Sequence, residues 1–187
     1  MRNQFLALGL ATALACLSSS LSLAQDSLPK SETAIHTGDL YPTIPMSKAL
    51  IGEDKPGHDG KHGVIHYFTP EEREDHRVII VGGQVYDHVG APYQAPPNKL
   101  MYVMDKSGNF YFFNQKGHED NRHSSVFAGA PVAGAGEIMV VNGKVAEINR
   151  DSGHYSPPQR IFDNVMRELE KDGVDTSQVK PLVKKPN

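Results

Sequence analysis

From Val64 onward the chain falls into short apolar runs separated by Gly, Asn, Asp and Pro, the pattern of strands joined by tight turns. Residues 64–68, Val-Ile-His-Tyr-Phe, read as a first strand, and Thr69-Pro70-Glu71-Glu72 after them has the spacing of a capped helical turn. Residues 78–81 and 84–86 flank Gly82-Gly83, and residues 100–104 and 110–113 flank Asp105-Lys106-Ser107-Gly108. Both pairs predict hairpins. A third is predicted by residues 137–141 and 144–148 about Asn142-Gly143, because Asn-Gly accepts the positive φ angles of a two-residue turn.

The third turn fixes a register. Val141 is expected opposite Lys144, Val140 opposite Val145 and Glu137 opposite Ile148. Ile138, Val140 and Val145 then share one face, and Met139, Val141, Ala146 and Ile148 the other, so the hairpin is expected inside the sheet. The period changes after Ser156. Ile161, Phe162, Val165, Met166 and Leu169 form one helical stripe, with Ser156 and Gln159 at capping-box spacing and Pro157 in the first turn. Asp172-Gly173 ends the helix, and residues 179–183 suit a short edge strand, where Pro181 is tolerated. The fold class is α+β: an antiparallel sheet built from hairpins with a C-terminal amphipathic helix packed on one face.

The first third of the chain behaves differently. Residues 1–24 have the grammar of a signal peptide: Arg2, an uncharged apolar core and Ser22-Leu23-Ala24 as a cleavage pattern. Ala13-Leu14-Ala15-Cys16 is a rougher lipobox, making a lipoprotein through Cys16 the second reading. Residues 25–63, broken by Pro29, Pro42, Pro45 and Pro56, read as an extended arm or linker, and residues 64–187 as a single α+β domain. These readings imply a periplasmic or secreted protein with no integral membrane segment after the leader. The 187 residues carry 19 basic and 22 acidic side chains, net −3, which gives no basic footprint for nucleic acid.

Candidate chemistry concentrates between His123 and Tyr155. His123-Ser124-Ser125 precedes a small-residue run ending in Glu137, and Ser152-Gly153-His154-Tyr155 follows the third hairpin. A hairpin returns the chain to its starting end, so His123, Ser124, Glu137, His154 and Tyr155 are expected around one pocket. One histidine would serve as general base, a serine as nucleophile, Glu137 as orienting carboxylate and Tyr155 as proton donor. The same residues can instead brace loops in a non-catalytic binding or structural module. His58, His62 and His66, with His118, His123 and Glu119 or Asp120, offer a loop that could wrap a metal, although a solvated polar loop explains them more simply. His66-Tyr67 followed by Glu137 also has the order of an ADP-ribosyl-transfer set.

The ordered motifs Tyr102-Val103-Met104-Asp105, His123-Ser124-Ser125, Ala135-Gly136-Glu137, Asn142-Gly143-Lys144 and Ser152-Gly153-His154-Tyr155 resemble an uncharacterised bacterial module of toxin-like, effector-like and small exported proteins. That resemblance implies an exported bacterial protein of this class and supplies no mechanism; the reading as a small hydrolase or transferase, acting on an unidentified small molecule or protein, rests on the His/Ser/Glu pocket. The resemblance names no cofactor.

Overall fold

The computed structural model describes residues 26–58, 63–115 and 120–182. The leader, His62, His118 and Glu119 therefore lie outside the described residues. Among the described residues seven strands form one sheet: β1 (Arg77–Val81), β2 (Gln84–Asp87), β3 (Leu100–Met104), β4 (Phe110–Phe113), β5 (Gly134–Val141), β6 (Lys144–Ile148) and β7 (Lys180–Pro181). Their order is β2-β1-β4-β3-β5-β6-β7. Every pairing is antiparallel except β6 with β7. A short helix, α1 (Pro70–Asp75), precedes β1, and α2 (Gln159–Lys171) packs against the sheet.

Local chemistry accounts for most of these elements. Thr69 accepts the Glu72 amide while Glu72 accepts the Thr69 amide, the reciprocal capping box that starts α1. Asn142 and Gly143, at φ 51° and 73°, turn β5 into β6. The sheet is covered on both faces. Tyr102, Met104, Phe110, Phe112, Ile138 and Val140 point toward Val165 and Leu169 of α2. The alternate positions Val103, Tyr111, Phe113 and Ala135 pack with Ile44, Met46, Phe68, Val126 and Tyr155. The sheet curls enough for its second end to meet its first: the Val85 amide donates to the Gly143 carbonyl at 2.7 Å.

Three sequence expectations are corrected. Residues 64–68 are extended but join no strand; the amides of Ile65, His66 and Phe68 donate to the carbonyls of Glu53, Asp120 and Ser125. The run is apolar because Ile65 and Phe68 enter the core. Glu137 does not face Ile148. A bulge between Met139 and Val140 shifts the register, so Ile138 pairs with Ile148 and the Glu137 carbonyl accepts the Asn149 amide. Ile148 thereby joins the face of Ile138, while Val141 stays exposed. Finally, Ser156 does not cap α2. It takes a left-handed backbone (φ 44°), its hydroxyl donates to the Ser152 carbonyl, and Pro158 occupies the cap position without a side-chain bond.

Residues 26–58 cross the domain surface. The Leu40 and Tyr41 amides donate to the Lys106 carbonyl, and Asn109 exchanges hydrogen bonds with the His36 backbone. Ile44 bridges Val132, and a 3₁₀ turn at Lys48–Leu50 brings Glu53 into the interior.

Candidate functional site

The small-residue run earns its composition by close packing. A Cβ on Gly134 would lie 2.4 Å from Val165, and one on Gly136 would lie 2.2 Å from the Asn149 carbonyl oxygen. With no side chains there, β5 can pass beneath both α2 and the segment after β6. His123 opens the 3₁₀ turn His123–Phe127 beside this strand.

His123 is 3% exposed, and its Nε2 lies 2.8 Å from the Gly136 carbonyl oxygen. A carbonyl only accepts, so Nε2 carries the proton. The ring meets Phe113 edge-on. Burial pushes its pKa down to about 4, outweighing the Gly136 hydrogen bond, which acts in the other direction. Ser124 is fully buried, and among the described residues its hydroxyl has no hydrogen-bond partner, hence no base in reach to activate it. Ser125 instead accepts the Arg122 amide at 2.9 Å.

Glu137 lies elsewhere. It pairs with Lys99 and accepts from Asn149 Nδ2 at 3.1 Å, on the wall of a cavity of about 350 Å³ shared with Asn98, Met101 and Asn114. His154 lines a different cavity, of about 240 Å³, together with Arg122 and Glu53. Its Nε2 lies 2.8 Å from Glu53 Oε2, with both side chains largely buried. The His154 carbonyl accepts the Ser47 amide at 2.8 Å. The Tyr155 hydroxyl donates to the Ala130 carbonyl at 2.8 Å, and burial drives its pKa upward, helped by the charge of Glu53. Tyr67 also neighbours Glu53; burial and that negative charge raise its pKa to about 12.

The third hairpin does bring the two histidine-bearing loops together: Arg122 and His154 share a cavity, and the charge of His154 bears on His123. Glu137 and His154 line separate cavities, however, and His123 faces the core. His154 pairs with Glu53, which lies in the segment the sequence predicts as an arm or linker. No spacing rule links two residues 101 positions apart. The only local signal was an acid directly after Ala49-Leu50-Ile51-Gly52, the one apolar stretch of a polar segment.

His66, expected on a strand, instead pairs with Glu72 at 3.1 Å. It lines a cavity with His76 and Asp120, apart from Glu137. Among the described residues no group of three His, Cys, Asp or Glu side chains is placed to hold a metal ion.

Residues 72–162 match the model of the IQ motif-containing protein middle domain. The match begins in α1, ends in α2 and includes all five candidate residues but not Glu53. Three similar proteins come from Arabidopsis thaliana. The IQ domain-containing protein IQM2 is 30% identical over 62% of this chain and 20% of its own length. IQM3 is 28% identical over 64% of this chain and 27% of its own length. IQM4 is 29% identical over 62% and 22%. The chain thus spans about a fifth to a quarter of the relatives it matches. No solved structure matches it.

These findings overturn the resemblance to a bacterial toxin- or effector-associated module. The description as bacterial, secreted, periplasmic and effector-like falls with it, since the similar proteins are plant IQ domain-containing proteins. The hydrolase or transferase reading is corrected on the same ground, and the reading as a non-catalytic module fits better. No Ile-Gln dipeptide occurs in the chain.

Proposed function

We propose that this chain is a non-catalytic binding or structural module, in which the polar residues of the 123–155 region hold loops in place. The observation that carries the reading is the His123 ring. Its protonated nitrogen is committed to the Gly136 carbonyl, and its low pKa leaves it neutral and a poor base at pH 7. Tyr155 acts alike: its hydroxyl ties the helix entrance to the Ala130 carbonyl, and its raised pKa makes it a weak proton donor. Glu137 holds β5 against Asn149 and Lys99, and the Glu53–His154 pair pins the N-terminal segment to the loop before α2. The Lys99–Glu137 and Glu53–His154 pairs join residues 38 and 101 positions apart.

Tyr155→Phe and His154→Gln test the proposal. Braces should show lowered melting temperatures, and the unsubstituted chain should turn over no substrate in ester, phosphoester and peptide panels. Turnover that His154→Gln abolishes at an unchanged melting temperature would overturn it.

A further inference from the structure

The acid at the far end of α2 has no part in the braces described above. Glu168 is fully buried in the last turn of the helix, and Asp172 follows one turn on, at the C-cap. The negative end of the helix dipole disfavours a carboxylate at either position. The N-terminal segment supplies the cover. The Tyr41 hydroxyl donates to Glu168 Oε2, and His36 Nδ1 lies 3.8 Å from Oε1. Beneath them a Cβ on Gly108 would lie 2.5 Å from Oε1, so the glycine leaves room for the acid. Lys171 Nζ, on an exposed side chain, lies 3.2 Å from both oxygens.

The cover is lightly held. Residues 36–41 cross the turn between β3 and β4 on polar bonds. The Leu40 and Tyr41 amides share the Lys106 carbonyl, the His36 backbone exchanges bonds with the Asn109 side chain, and Asp39 pairs with Lys106. Residues 36–40 are exposed, and Tyr41 is half-buried against the core. Water can replace each of these bonds, so lifting the strap costs far less than opening the sheet beneath it.

Closure crowds like charges. Asp172 is half-buried beside Glu168 and shares a narrow slot with Glu32, His36 and Arg77. Arg77 is bound by Glu74 at 2.7 Å, and Lys171 by Glu168. Burial, then the negative charge of Glu168, raises the Asp172 pKa to about 7, with Lys171 acting in the other direction. With the strap lifted, the two carboxylates gain water and Asp172 moves toward the ordinary value near about 4. The closed state therefore keeps a proton that the open state gives up. Closure is tightest below about pH 4 and weakens as pH rises toward about 7.

We propose that residues 36–41 form an acid-closed strap, shut over Glu168 and Asp172 while the two carboxyls hold a proton between them and opening more readily once both are charged. The strap lies outside the 123–155 braces and stands or falls apart from them.

Hydrogen exchange of the full chain at pH 5 and 7, corrected for intrinsic rates, tests this. Protection of the His36, Leu40 and Tyr41 amides should fall roughly tenfold from pH 5 to 7. Val103, in the core, should lose none over the same rise. Asp172→Asn should flatten the response of the strap, whereas His36→Gln should leave it in place. Should Asp172→Asn fail to fold, the reciprocal effect serves: by NMR the Asp172 carboxyl should titrate at lower pH in Tyr41→Ala, which unseats the strap, than in the unsubstituted chain. Strap protection that does not change with pH would overturn the proposal. So would a response that survives in folded Asp172→Asn or vanishes in His36→Gln, or an Asp172 midpoint unmoved by Tyr41→Ala.

Discussion

Acidification should destabilise this domain through His123 in a calculable way. In the folded chain the ring titrates near pH 4, against the usual 6.5 for an exposed histidine. Between these values the unfolded chain binds a proton that the folded chain refuses, so stability falls as pH drops below about 6.5. The ring is fully buried, so the shift carries nearly its full thermodynamic weight. At pH 5 the loss relative to pH 7 is about 2 kcal/mol, approaching about 3 kcal/mol at pH 4. Asp172 acts in the opposite direction. Burial and the neighbouring Glu168 raise its pKa to about 7, so its contribution weakens as pH rises from about 4 toward 7. Urea unfolding of the unsubstituted chain and of His123→Gln, each at pH 5 and 7, separates the two. Asp172 is present in both proteins and cancels in the difference. The variant should be less stable at pH 7 but should lose about 2 kcal/mol less on going to pH 5. Parallel losses in the two proteins would show that His123 is not sealed as described.

Gly136→Ala should lower the melting temperature by about 6–12 °C, the equivalent of about 3 kcal/mol, because its Cβ would collide with the Asn149 carbonyl and Tyr102. Gly153→Ala, which meets nothing, should change it by less than about 2 °C in the same thermal scan. His154→Ala should loosen the N-terminal segment locally. Hydrogen exchange at the Ser47 and Ile65 amides, which donate to the His154 and Glu53 carbonyls, should quicken about tenfold while Val103 stays protected. Thr69→Ala removes half of the α1 capping box and should cost about 1 kcal/mol by chemical denaturation.

The hairpins were legible because the rules that make them are local. Alternating burial and the turn residues Gly82-Gly83 and Asn142-Gly143 lie within a few positions of one another. The stripe of Ile161, Val165 and Leu169 is equally local, and all three are buried. What escaped was decided across the fold. The bulge after Met139 moves Asn149, rather than Ile148, opposite Glu137, and nothing in the apolar pattern marks it. Residues 64–68 have a strand's composition, but the carbonyls of Glu53, Asp120 and Ser125 take the amides of Ile65, His66 and Phe68. In the candidate site, proximity of the two histidine loops could be inferred from the turn. The side-chain directions could not: His123 turned inward to a backbone carbonyl, and His154 turned to an acid in a segment that carries no periodicity.

The curling of the sheet bears on how the protein fails. Strand β2 has its outer groups occupied: Val85 donates to Gly143 and accepts from Tyr93, and Asp87 accepts Ala91 on its side chain while its own amide reaches the Ala91 carbonyl. At the opposite border β7 is two residues long and contains a proline. The Val-Ile-Ile-Val stretch of β1, a composition suited to fibrils, is paired along its whole length with β2 and at Val78 also with β4. At these two borders the native molecule therefore offers neighbouring copies little backbone on which to template, and opening of the curl would expose more of it. Solubility on storage should accordingly track melting temperature across variants rather than surface charge.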